Sequence, residues 1–212
     1  MSKEASMIED IKKSILSGLM IAFGCSVYLS CVDKGLSWLG SFLFSAGLFT
    51  ICEYGFNLYT GKVGYIANRL KDTKYLRLVL LILIFNIITT FALGYIVSLY
   101  FPAVRNVALD IYLQKLSMPY GKLFFSGVLC GILMYLAVDT WKRGSKIGCF
   151  LYVPLFILCG FDHSIANSFY NGAAFGEHTF TLQNLILILL VVLGNAVGGM
   201  TVPLLTRKWK TL

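Results

Sequence analysis

His163 is one of only two histidines in a chain of 212 residues. It sits in the stretch Gly160-Phe-Asp-His-Ser-Ile-Ala-Asn167, just after a strongly apolar run. An imidazole can accept or donate a hydrogen bond, give up a proton or relay one near neutral pH. At membrane depth such a ring is costly unless it faces a cavity or is bonded to its neighbours. Two readings therefore stand: a group that handles a solute, or a ring bonded to nearby backbone that ties down a helix break. Lys115 is either a solvated loop charge or, beside an opening, a means of concentrating anions. Thr60 lies in a second glycine-and-polar interruption, Gly55-Phe-Asn-Leu-Tyr-Thr-Gly-Lys62, and offers a hydroxyl. Asn195 puts an amide inside another apolar run; Thr and Asn there bond either a solute or a neighbouring helix. Phe156 lies seven residues before His163, two helical turns along one face. Phe44 and Leu48 lie at i and i+4, again on one face. With Tyr59 they are apolar candidates for a constriction or for ordinary packing. The consecutive Asp162-His163-Ser164 is not a hydrolase triad. Adjacent helical side chains diverge by about 100°, and strand neighbours point oppositely, so the three cannot converge.

These residues need an apolar scaffold to hold them, and the composition supplies it. Hydrophobic residues make up 58% of the chain, charged residues 13%, and the mean hydropathy is +0.77. Soluble domains are nearer half apolar and a quarter charged. A soluble enzyme, a disordered tail and a nucleic-acid-binding module are thereby disfavoured, despite the net charge of +8. Long apolar runs predict an all-α membrane protein with six spans, at about 15–31, 36–59, 78–101, 123–138, 147–158 and 182–205. The fifth is too short to cross alone, so the segment after it must complete the crossing. The six cysteines, Cys25, Cys31, Cys52, Cys130, Cys149 and Cys159, form no C-x-x-C pair. They read as small hydrophobes, and no metal or other cofactor is expected. The acidic N-terminal stretch without a small-residue cleavage site does not read as a signal peptide; residues 1–14 are expected to form a short amphipathic cytoplasmic helix.

Orientation comes from the cations. Lys3, Lys12, Lys13, Lys62, Arg69, Lys71, Lys74, Arg77, Lys142, Arg143, Lys146, Arg207, Lys208 and Lys210 fall on one side of the predicted spans; only Lys34, Arg105, Lys115 and Lys122 fall on the other. The positive-inside rule then puts both termini in the cytoplasm. The halves also resemble each other. Ser17-Gly18 and Ser126-Gly127 are 109 residues apart, Gly55-Phe56-Asn57 and Gly160-Phe161-Asp162 are 105 apart, and Asn86 and Asn195 are 109 apart. Such ordered matches predict a duplication, in repeats 15–101 and 115–206 of a single transmembrane domain, 1–212. Three spans per half is an odd number, so the repeats must be inverted. Helices 2 and 5 are interrupted at corresponding positions, and transporter sites lie at such breaks.

Taken together, these residues resemble the formate/nitrite transporter family over nearly the whole chain. The resemblance rests on Phe44-Ser-Ala-Gly-Leu48, Asn57-Leu-Tyr-Thr-Gly61, Lys115, the octet around His163 and Gly194-Asn-Ala-Val-Gly-Gly199. It implies an aquaporin-like protomer, a homopentamer in the cell inner (plasma) membrane, and one pore per protomer for formate, nitrite or hydrosulfide. It implies that Lys115 is a vestibule lysine and His163 a central pore residue. Thr60 and Asn195 would hydrogen-bond His163 or the permeating species, and Phe44, Leu48, Tyr59 and Phe156 would form two constrictions. A bare ion is opposed there because desolvation is costly, whereas a protonated weak acid is neutral. The expected mechanism is anion attraction by Lys115, protonation near His163 and passage of the neutral acid. The resemblance is imperfect. Asp162 replaces the usual glutamate, Gly131 a common asparagine and Tyr59 a common phenylalanine; no lysine before Gly18 mirrors Lys115. A neutral-solute channel for water, urea or ammonia shares the inverted repeat but lacks the asparagine–proline–alanine signature here. A purely structural protein would not need two matched polar breaks.

Overall fold

The computed structural model describes residues 3–206. Arg207, Lys208 and Lys210, counted above for orientation, lie outside them. Nine α-helices succeed one another, with no strand among the described residues. Four are long and apolar enough to cross a bilayer: α1 (Lys3–Asp33), α4 (Thr73–Tyr100), α6 (Tyr120–Lys142) and α9 (Leu182–Leu205). The remainder are α2 (Ser37–Glu53), α3 (Tyr59–Lys62) with a 3₁₀ turn at Val63–Asn68, α5 (Pro102–Leu116), α7 (Ile147–Leu158) and α8 (Ser164–Ala173). The separate short helix expected over residues 1–14 needs correction: from Lys3 onward that segment and the first apolar run form one continuous helix.

The break expected within the second apolar run is present, and the structure sharpens its position. The second apolar run does not stay helical to residue 59. It ends at Glu53, because Gly55 turns the chain at φ +67°, a region costly for any side chain. Of the two readings of Lys115, the solvated loop charge is the one the structure does not fit. The residue lies in the last turn of α5, whose Val104, Ala108, Tyr112 and Lys115 recur at helical spacing and are buried. Pro102 opens that helix where no amide hydrogen is required.

Packing exchanges the two halves. Helix α1 packs on α4 and α6 on α9; α2 packs on α7; α8 lies against α4, and the 3₁₀ turn against α9. The α6–α9 contact is backbone-close. A Cβ on Gly198 would stand 1.9 Å from the Val128 carbonyl oxygen, and one on Gly194 2.5 Å from that of Phe124. Small residues are what allow such approach between membrane helices. Gly131 belongs to the same seam: a Cβ there would meet the Asn195 oxygen at 2.4 Å. The position at which the resemblance suggests asparagine thus has no room for one at this spacing.

Candidate functional site

The two helix breaks are built by the same backbone device. After α2, Gly55 N–H donates to Cys52 O (3.3 Å) and Phe56 N–H to Ile51 O (2.9 Å). After α7, Gly160 N–H donates to Ile157 O (3.0 Å) and Phe161 N–H to Phe156 O (2.9 Å). This is the Schellman closure, which needs a left-handed residue just past the helix; Gly160 supplies it at φ +68°. The chain then extends, through Leu58 in one break and His163 in the other, before a new helix begins.

Each extended stretch is pinned by one asparagine from a long helix. Asn86 of α4 accepts from Tyr59 N–H (2.9 Å) and donates to Asn57 O (3.1 Å) and Ser14 O (2.8 Å). Asn195 of α9 accepts from Ser164 N–H and donates to Asp162 O and Gly127 O, all at 2.8 Å. Both side chains are fully buried. The amide therefore satisfies a donor and an acceptor that each break would otherwise strand in an apolar medium, a cost of about 1–3 kcal/mol per group. Asn195 does not bond the His163 ring; both its amide hydrogens go to backbone.

His163 closes α8 at its N-terminal end. Its Nδ1 accepts from Ala166 N–H (3.1 Å), and its Nε2 lies 2.8 Å from Thr60 Oγ1 of the other break. A backbone amide can only donate, so Nδ1 is the unprotonated nitrogen and Nε2 carries the hydrogen of the neutral ring. Nε2–H then donates to the Thr60 hydroxyl. Phe156 stacks on the imidazole with centroids 5.7 Å apart and planes 19° apart, and Phe44 meets Phe156 edge-on at 6.3 Å. Tyr59 is buried, and its hydroxyl donates to Val192 O (3.1 Å). Leu48 is buried in α2.

A cavity of about 130 Å³ opens on this stack, lined among others by Phe44, Lys115, Phe156, His163 and Asn167. Lys115 Nζ there bonds Asp162 Oδ1, a fully buried carboxylate that also accepts from Asn167 Nδ2 (2.9 Å) and, through Oδ2, from Ser126 Oγ (2.5 Å). A buried charge persists only when paired and hydrogen-bonded in this way. Lys115 is therefore a paired cation, not a free one. A second cavity, of about 120 Å³, is lined by Leu58, Gly61, Lys62, Val138, Trp141 and Lys142 among others. His163 lines the first cavity, and Thr60, bonded to it, directly precedes Gly61 and Lys62 of the second.

Residues 3–209 match the sequence family described as formate/nitrite transporter. The chain belongs to the formate/nitrite transporter family. It is 29% identical to the uncharacterized transporter YwcJ of Bacillus subtilis, over 92% of this chain and 86% of that protein. It is 33% identical to the nitrite transporter NirC of Salmonella typhimurium, over 46% of this chain and 39% of that protein. In fold it is similar to a solved pentameric formate channel with formate bound, at a TM-score of 0.82, 22% identity and 99% coverage of both chains. It is also similar to an ion channel of the same family, at 0.83 and 20%, over 97% of this chain and 91% of that one. As a member of the formate/nitrite transporter family with apolar membrane-length helices, this is an integral membrane transport protein.

Of the residues singled out in the sequence, His163, Phe156, Phe44 and Lys115 line one cavity, and Thr60 bonds the His163 ring. Asn195 lies behind them and holds backbone. Tyr59 and Leu48 flank in the core. Sequence reasoning missed Asn57, Ser126 and Asn167 as polar partners and Lys62 and Lys142 as cavity residues. Asn167 was visible within the octet; the two lysines read only as topology charges.

Proposed function

We propose that the chain conducts small monovalent weak-acid anions, of the formate or nitrite class, across the cell membrane. The observation that carries this reading is the Thr60–His163 contact, with Phe156 stacked on the imidazole and Phe44 edge-on to Phe156: His163 lines the cavity that holds Lys115, and Gly61, next to Thr60, lines the cavity that holds Lys62 and Lys142. In this reading α2 with α3, and α7 with α8, are composite spans, both termini are cytoplasmic, and the protomer assembles as a homopentamer like the formate channel it resembles in fold.

An anion enters the Lys115 cavity, where the ammonium hydrogens not used by Asp162 and the amide of Asn167 can donate to it. The Phe44 and Phe156 rings cannot solvate it. Desolvation raises the pKa of an acid, so the anion takes a proton from cavity water as it meets the rings. It passes as the neutral acid and releases the proton beyond. His163 holds its own proton on Nε2. Adding one at Nδ1 would cost the bond that starts α8, so the ring acts as a positioned hydrogen-bond donor with Thr60 rather than as the acid. Hydrosulfide, also the anion of a weak acid, meets the same chemical requirement.

Uptake into proteoliposomes tests this, with formate, nitrite, hydrosulfide and urea, each with and without an inward proton gradient. Entry of a weak-acid anion, accelerated by the gradient, is expected. Entry of urea or water alone would overturn the reading in favour of a neutral-solute channel.

A further inference from the structure

The lysines of the two cavities are in opposite electrostatic states. Lys115 is neutralised by Asp162. Lys62 and Lys142 line the second cavity together, and neither is in an ion pair among the described residues. Lys62 ends α3, directly after the break, and is half-buried. Lys142 ends α6 and holds its ammonium 3.4 Å from the centre of the Tyr65 ring. A cation on an aromatic face keeps its charge and leaves its hydrogens free for another acceptor. The carboxylates nearby are engaged elsewhere. Asp139 takes Arg143, Tyr65 and Tyr135, Asp10 takes Asn57, and Glu53 takes Lys146. The rest of the lining is largely apolar: Ile51, Leu58, Val138 and Trp141. Two cations over apolar walls form a concave field that concentrates small anions.

We propose that Lys62 and Lys142 form a second anion-binding site, which takes a small monovalent oxyanion at the mouth opposite Lys115. This assigns two residues to the transport reading above and rests on it for orientation: the site faces the cytoplasm. Two cations unpaired by carboxylate make this mouth the stronger anion collector. Anion released or supplied inside is held there before it reaches Leu58 and the Thr60–His163 contact.

Trp141, in the cavity wall, provides a readout that needs no transport. In a Trp38→Phe, Trp209→Phe background it is the one remaining tryptophan. Iodide quenching of its fluorescence is expected to fall about threefold or more in Lys62→Gln/Lys142→Gln, as expected for a lost cationic cleft. Quenching by neutral acrylamide should be unchanged, and Lys62→Arg/Lys142→Arg should keep the iodide response. Equal iodide quenching before and after the glutamine changes would overturn the site. In oriented proteoliposomes the glutamine pair should raise the half-saturating anion concentration for efflux from the cytoplasmic face by a similar factor, leaving that for entry from the other face unchanged. A shift on neither face, or equally on both, would overturn it as well. If wild-type protein moved no weak-acid anion while the iodide difference held, the transport reading would fail and the site would stand.

Discussion

The two helix breaks share one backbone and differ in their side chains. Both close with a left-handed glycine, both extend for a few residues, and both are pinned by an asparagine 109 residues from its counterpart. At the position that starts the new helix, one has Leu58 and the other His163. One residue earlier, Asn57 donates to Asp10 at 3.1 Å, whereas Asp162 gathers Lys115, Ser126 and Asn167. Ser126 lies 109 residues after Ser17, whose hydroxyl has no partner among the described residues. The shared part solves a problem that bilayer physics imposes on any broken helix: every backbone polar group must be satisfied internally. The differing part is free to carry chemistry; in the transport reading proposed above the second break supplies His163 and the Lys115–Asp162 cluster, and the first supplies Thr60 and Lys62.

The largest effect should separate the two polar clusters. Asp162→Ala strands the buried Lys115 ammonium and should cost about 3–5 kcal/mol, as breaking one side of a buried pair does. Asn57→Ala removes a neutral amide and should cost only about 1 kcal/mol. Thermal unfolding in detergent measures both. Combining Asp162→Asn with Lys115→Met should recover most of the loss, and equal losses at 57 and 162 would contradict the asymmetry. Next in size are the pins. Asn86→Ala and Asn195→Ala each leave a buried N–H and a buried C=O unsatisfied, about 2–4 kcal/mol, and the two losses should match within about 1 kcal/mol. A pin that proved dispensable in one break would show that the shared backbone does not depend on it.

The legible part of this molecule was the part with strong local signals. Gly55 and Gly160, each followed by polar residues inside apolar runs, announced the breaks, and the 109-residue offset announced the paired asparagines. Helix α5 escaped because a search for long apolar runs does not see a 15-residue helix with Arg105, Asp110 and Lys115 on it. Its burial comes from packing on α8 and α1, which no local window contains. The partners of Asn195 were equally hidden: an amide in a membrane helix can bond ligand, side chain or backbone, and only the fold brings Asp162 O and Ser164 N–H to it. Lys62 and Lys142 are 80 positions apart and meet only because α3 packs on α6.

A smaller effect on folding, but a decisive one on mechanism, is expected from His163→Asn. Asparagine is a good residue at a helix start, so its side-chain oxygen can still accept from Ala166 N–H and α8 should form with a loss under about 1 kcal/mol. What disappears is the Nε2–H aimed at Thr60. Anion flux should fall about tenfold, the scale of one hydrogen bond to a charged partner. Because the proton is taken from water, the pH dependence should persist and should track the acid: half-maximal flux for formate and nitrite should differ by the difference in their own acidities. A variant whose flux became independent of pH would identify His163 as the proton donor instead.

The smallest prediction compares the first helical residues after each break, Tyr59 and Ser164. The Tyr59 hydroxyl is buried and donates to Val192 O, so Tyr59→Phe should cost about 1 kcal/mol. The Ser164 hydroxyl is buried with no partner among the described residues, so Ser164→Ala removes an uncompensated polar group and should be neutral or stabilising by up to about 1 kcal/mol. The opposite signs come from satisfaction alone and are read from thermal midpoints in detergent. Flux adds the functional half of the comparison. Tyr59→Phe should leave it unchanged, since that hydroxyl is committed to α9. Ser164 directly succeeds His163, but its hydroxyl is fully buried and outside the lining of the Lys115 cavity, so Ser164→Ala should leave flux unchanged too. A fall in flux with no loss of stability in Ser164→Ala would extend the chemistry of the second break by one residue; unchanged flux would confine it to His163, Thr60 and the Lys115–Asp162 cluster.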